Sequence, residues 1–115
     1  MAKAVLIFVF SVVIAITVHA TRPFLTLCKE KFHVGCEKVD SPGHLHCLNL
    51  PDNMNNKASS VNTHGHAAYL YAGPNCKGSG VMAEPDCIGE TCCQTHHDLA
   101  LCNIDKNISS VALSE

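Results

Sequence analysis

Asn55-Asn56-Lys57-Ala58-Ser59-Ser60-Val61 returns fifty residues later as Asp105-Lys106-Asn107-Ile108-Ser109-Ser110-Val111. Each copy reads as an oxygen-rich loop, a Ser-Ser pair and a β-branched residue suited to starting a strand. A repeat of this kind marks one structural unit used twice, and it sets the phase in which the remaining sequence is read.

Outward from the first copy, residues 24–28 alternate as a strand does, residues 29–31 are a polar turn, and residues 32–39 are extended again. Asp40-Ser41-Pro42-Gly43 has turn chemistry, residues 44–50 are a third strand, and residues 61–63 a fourth. The pattern then restarts: residues 27–35 align with residues 70–78 at an offset of 43, whereas the Ser-Ser pairs are 50 apart. The second unit is therefore about seven residues longer, with the extra length expected at residues 87–95. Its strands are expected at residues 69–72, 80–84, 99–103 and 110–114. Outside the N-terminal segment no window sustains a helical apolar period. Two four-stranded units with short turns predict an all-β fold of two packed antiparallel sheets, a β-sandwich. A disulfide scaffold of loops without a complete sandwich is the alternative.

Residues 1–20 have the pattern of a signal peptide: Lys3, an apolar run over residues 4–16, and Val18-His19-Ala20 before the cleavage point. The apolar run is short for a membrane span, so a secreted chain of residues 21–115 is expected, one domain with its first unit at about 21–63 and its second at about 64–115. A domain of this size buries only about 60–65% of its unfolded surface. All eight cysteines, Cys28, Cys36, Cys47, Cys76, Cys87, Cys92, Cys93 and Cys102, lie in the expected mature part, and an even count in an oxidising compartment predicts disulfides. Their pairing stays open, except that adjacent Cys92 and Cys93 are poorly placed to bond each other.

Eight Lys and Arg fall to seven when Lys3 leaves, against ten acids, and no polybasic patch remains. Nucleic-acid binding and attraction to an anionic membrane are thereby disfavoured. Seven histidines remain, including His44-x-His46, His64-x-His66 and His96-His97. On a strand, His-x-His would put both rings on one face and could hold copper or zinc. Oxidised cysteines would supply no thiolates, and histidines on polar loops are the favoured reading. The glycine spacing from Gly73 to Gly78 mimics a phosphate loop, but Ser79 stands where lysine is needed. No catalytic constellation is found, and a non-enzymatic protein is expected.

Two features resemble the βγ-crystallin superfamily. Tyr69-Leu70-Tyr71-Ala72-Gly73-Pro74-Asn75-Cys76-Lys77-Gly78 is similar to its first hairpin, and Asn55-Asn56-Lys57-Ala58-Ser59-Ser60 satisfies its calcium sequence, Asn/Asp-Asn/Asp-x-x-Ser/Thr-Ser, at every position. The second copy departs from it at Lys106. The resemblance implies a disulfide-stapled, βγ-crystallin-like sandwich of two four-stranded Greek-key motifs, Greek key 1 at about 21–63 and Greek key 2 at about 64–115. It also implies Ca²⁺ ligands at the side chains of Asn55, Asn56 and Asp105, the carbonyls of Lys57 and Asn107, and the hydroxyls of Ser59 and Ser109. Calcium takes six to eight oxygens of these kinds. With Asp105 the sole acid and Lys57 and Lys106 basic, affinity is expected in the ~10⁻⁴–10⁻³ M extracellular range. Alternatively, the Ser-Ser pairs only brace the loop by side-chain-to-backbone hydrogen bonds. Asn107-Ile108-Ser109 is a glycosylation sequon inside the second copy.

Cysteine-rich secreted members of that superfamily, namely plant antimicrobial proteins, killer-toxin-like proteins and fungal effectors, resemble this chain more than lens crystallins do. The expected function is a monomeric secreted protein acting through its surface on an extracellular protein or cell-wall partner. A calcium-stabilised structural protein is one alternative. A peptidase inhibitor using residues 87–102 is another, since one bacterial inhibitor family shares the fold.

Overall fold

Leu25 and Leu27 alternate with half-buried Phe24 and Thr26, and this period of two shapes the first strand, β1 (Phe24–Glu30), with both leucines in the core. The computed structural model describes residues 23–114, so the expected signal peptide at residues 1–20 lies outside the described residues. The chain turns at residues 31–33 and returns antiparallel as β2 (Val34–Asp40), with Cys28 directly opposite Cys36. Four further strands follow: β3 (Cys47–Asn49), β4 (Ser60–Asn62), β5 (Ala68–Tyr71) and β6 (Gly80–Ala83). The bridge β7 (Cys92–Cys93) and β8 (Ser110–Leu113) complete the set.

The strands form two sheets, ordered β2-β1-β4 and β3-β8-β5-β6-β7. The units exchange strands. Although β3 belongs to the first unit, it pairs with β8 of the second, Leu48 opposite Val111. In return, the second unit lays residues 96–99 along β4: Val61 N–H donates to His96 O (2.8 Å) and Leu99 N–H to Ser59 O (2.9 Å). This reciprocal exchange makes two Greek keys one sandwich. Its core joins both sheets through Leu25, Leu27, Val61, Leu70, Val111 and Leu113.

The two hairpins repeat each other down to their turns. Phe32, His33 and Gly35 have positive φ, as do Asn75, Cys76 and Gly78 at the same offset of 43. Asn75 and Gly78 suit left-handed backbone, whereas Phe32 and His33 adopt it at a cost.

One expectation is corrected. Residues 99–103 hold no strand: Leu99–Cys102 is a 3₁₀ turn, capped by Asp98, whose side chain accepts from Ala100 N–H, and closed by left-handed Asn103. The second unit's remaining strand is the bridge β7, seven residues earlier in the chain and parallel to β6. His44, His46, His64 and His66 lie in loops, which is the favoured reading of these histidines, and neither His-x-His pair presents a strand face.

All eight cysteines are paired, as Cys28–Cys36, Cys47–Cys76, Cys87–Cys92 and Cys93–Cys102. Cys47–Cys76 links β3 to the second unit's hairpin turn, and the side chains of Asn49 and Asn75 bond across the same junction. By chain entropy, closing this 29-residue separation contributes about 3.5 kcal/mol.

Candidate metal site

The repeated loops meet. Asn56 N–H donates to Ile108 O (2.9 Å), and Lys106 N–H donates to Ala58 O (2.8 Å), a reciprocal pair that places one loop beside the other. Both donors have left-handed backbone, at φ 58° and 53°. The fourth position of each hexapeptide, Ala58 or Ile108, is fully buried and anchors the loop to the core.

The second serine of each pair is fully buried and has a fixed task. Ser60 Oγ donates to Glu30 O (2.7 Å) and accepts from His33 N–H (3.0 Å). Ser110 Oγ donates to Gly73 O (2.6 Å) and accepts from Cys76 N–H (2.8 Å). Each serine clamps the turn of its own unit's hairpin at the residues with positive φ. The expected brace within the serine's own loop is therefore directed elsewhere, to a turn about thirty residues earlier in the chain. The clamp holds Phe32 and His33 in a conformation their side chains disfavour. The repeated offset of 43 residues, which relates His33 to Cys76 and Glu30 to Gly73, was the available signal.

The first serine faces the junction. Ser109 Oγ donates to Asn56 Oδ1 at 3.2 Å, joining the fifth position of the second copy to the second position of the first. Ser59 and Ser109 also anchor by backbone, Ser59 N–H to Cys28 O (2.7 Å) and Ser109 N–H to Tyr71 O (2.8 Å).

Asn55 Oδ1 and Asp105 Oδ1, which occupy the same position in the two copies, are buried and have no hydrogen-bond partner. Buried polar oxygens are normally satisfied, so such a pair calls for an explanation, of which a bound ion is one. The carbonyls of Lys57 and Asn107 accept no backbone hydrogen bond from the described residues and add neutral oxygen donors. These groups fit the chemistry of a hard divalent cation. Asn56 and Ser109 are brought together; Asn55, Lys57, Ser59, Asp105 and Asn107 are placed by the same two loops. Asn107, the sequon residue, is exposed.

At the position corresponding to Asn56, Lys106 sends its side chain to the other hairpin, where Nζ donates to Lys29 O at 3.3 Å. That carbonyl was not anticipated from sequence, because it lies 77 residues from its partner.

Other chemistry is less developed. Among the described residues no three His, Cys, Asp or Glu side chains form a metal-holding group. His33 Nε2 bonds to Val61 O and His96 Nε2 to Cys93 O, each at a backbone carbonyl. Gly73 and Gly78 belong to the second hairpin turn, and a Cβ on Gly73 would stand 2.8 Å from Lys77 O. No helix among the described residues is long and apolar enough to cross a membrane.

No protein-family model and no curated protein matches the chain. Two solved structures share its fold. One, from work on the evolution of the eye-lens βγ-crystallin domain fold, has a TM-score of 0.60 and 18% identity, covering 87% of this chain and 93% of the other. The second is the Ca²⁺-bound form of a βγ-crystallin domain of the Abundant Perithecial Protein from Neurospora crassa. It has a TM-score of 0.55 and 12% identity, covering 85% and 94%. The chain has a βγ-crystallin-like fold, a β-sandwich stapled by four disulfides.

Proposed function

We propose that this is a secreted, non-enzymatic βγ-crystallin-like protein that binds calcium weakly at the junction of its two repeated loops. The observation that carries the reading is Asn55 Oδ1, buried and without a hydrogen-bond partner, next in the chain to Asn56, whose own Oδ1 meets Ser109 of the other loop. The Ca²⁺-bound form of the similar Neurospora domain supports the choice of ion. Asn55 and Asn56 with Ser109 would hold the ion, joined by the Lys57 carbonyl. Bound there, calcium would supply a positive centre that ties the two Greek keys together. A chelator-treated sample should melt higher when calcium is restored to 10 mM, and not when magnesium is. An unchanged melting temperature would contradict the reading.

Four disulfides agree with an oxidising compartment and hence with secretion. The expected domain, residues 21–115, and the absence of catalysis belong to the same proposal, as does a monomer.

A second reading, action through the surface as an effector, toxin or peptidase inhibitor, is favoured by one observation. Ile88 is 91% exposed on the short loop closed by Cys87–Cys92, and Leu101 lies with it on a cleft of about 440 Å³. An apolar tip on a constrained loop suits insertion into a partner's pocket. Growth assays on fungi and plant tissue beside a protease panel, comparing the native protein with Ile88→Asp, test it. Equal behaviour of the two proteins in every assay would contradict it.

A further inference from the structure

The two loops are related by an operation that the hydrogen bonds make explicit. It exchanges Asn56 with Lys106 and Ala58 with Ile108, since Asn56 N–H reaches Ile108 O as Lys106 N–H reaches Ala58 O. It exchanges Ser59 with Ser109 and Cys28 with Tyr71, since Ser59 N–H reaches Cys28 O as Ser109 N–H reaches Tyr71 O. The serine clamps extend it to Glu30 with Gly73 and to His33 with Cys76. Lys29 therefore corresponds to Ala72, and the molecule has two equivalent positions at which a cation could stand.

The side chains differ there. At one position the amide oxygen of Asn56 meets the hydroxyl of Ser109. At the other the Lys106 ammonium donates to the Lys29 carbonyl. An ammonium carries three donors and no acceptor, so it offers a metal nothing, and here it puts its charge on a carbonyl oxygen of the first hairpin.

We propose that the Lys106 ammonium is a tethered internal cation that fills the second of two equivalent positions, leaving one exchangeable divalent site where the repeat geometry provides for two. This deepens the calcium reading and rests on it for the site that remains open. The closed position keeps its own carboxylate, Asp105, whose Oδ1 is buried and unpartnered, and keeps Ser59. Only the second residue of the hexapeptide has been exchanged. The backbone also records the exchange, because Lys106 holds the left-handed conformation that asparagine adopts more readily. Restoring asparagine should therefore reopen the position without disturbing the loop.

Calorimetric titration of calcium into chelator-treated full-length chain tests this, with Lys106→Asn, Asn56→Ala and the double variant alongside. The expected stoichiometry is one ion for the native chain, two for K106N, one for the double variant and none for N56A. A native chain that takes none, with one taken by K106N, upholds the ammonium's role and overturns the calcium reading of the native protein. A folded K106N with the same stoichiometry as the native chain overturns the inference, as does a native chain that takes two. Lys106→Gln removes the charge with a side chain of different reach and serves if K106N does not fold. With that variant, an unchanged number of ions together with an unchanged melting temperature also overturns it.

Discussion

Residues 55–60 and 105–110 follow the same backbone path, with the same reciprocal hydrogen bonds and the same buried serine clamp, yet differ where a side chain would meet an ion. In the first loop the second position is Asn56, an oxygen donor in contact with Ser109. In the second it is Lys106, a cation bonded to a carbonyl. The backbone N–H groups serve the fold, and any side chain leaves them available. The side-chain atoms would serve the ion, and lysine in place of asparagine exchanges a neutral oxygen acceptor for a charged donor. A fold can therefore keep both copies while its chemistry keeps one.

The disulfides offer the largest test of how the halves cooperate. Cys28–Cys36 lies within the first hairpin, across a separation of eight residues, whereas Cys47–Cys76 joins the first unit to the second across 29. Replacing both cysteines of the longer link by alanine should cost about 3.5 kcal/mol, and of the shorter about 2.5 kcal/mol. Denaturant unfolding measures both; a reversed order would show that the strand exchange through β3 does not depend on its covalent tie.

Next in size are the clamps. Ser60→Ala and Ser110→Ala each remove a donor and leave a backbone N–H without its partner, at an expected cost of about 2 kcal/mol. Equal costs, read from thermal unfolding as a drop of about 8–16 °C, would show the two halves to be equivalent as scaffolds. A cost confined to one variant would break that equivalence.

A smaller effect separates the turns. Phe32 sits in left-handed backbone, stacked on His97 with ring centroids 5.5 Å apart, where the second unit has Asn75. Phe32→Asn should raise stability by about 0.5–1 kcal/mol if backbone strain outweighs the lost stacking. A fall in melting temperature would assign the greater weight to the stacked pair.

Much of this was legible in the sequence because the relevant signals are local. The alternation of Leu25 and Leu27, the turn residues, and the doubled hexapeptide mark strands and phase without reference to distant partners. The strand exchange was not legible, because the pattern in β3 says which face is buried but not which sheet receives it. The stretch 99–103 was misread since buried Leu99 suits a strand or a 3₁₀ turn equally; Asp98, a capping residue in front of it, was the overlooked sign. The Cys47–Cys76 disulfide and the Lys106–Lys29 contact are long-range pairings that no local pattern encodes. At the site, the residue types were readable, while the difference between an oxygen donor and an internal ammonium required their placement.

Amide chemical-shift mapping during a calcium titration addresses the central claim most directly, because it reports where the ion goes. Shifts confined to residues 55–58 and 107–109, saturating with an apparent Kd of ~10⁻⁴–10⁻³ M, are the predicted result. Unchanged spectra at 10 mM calcium, or shifts centred on Glu84 and Asp86 in place of the paired loops, would contradict it.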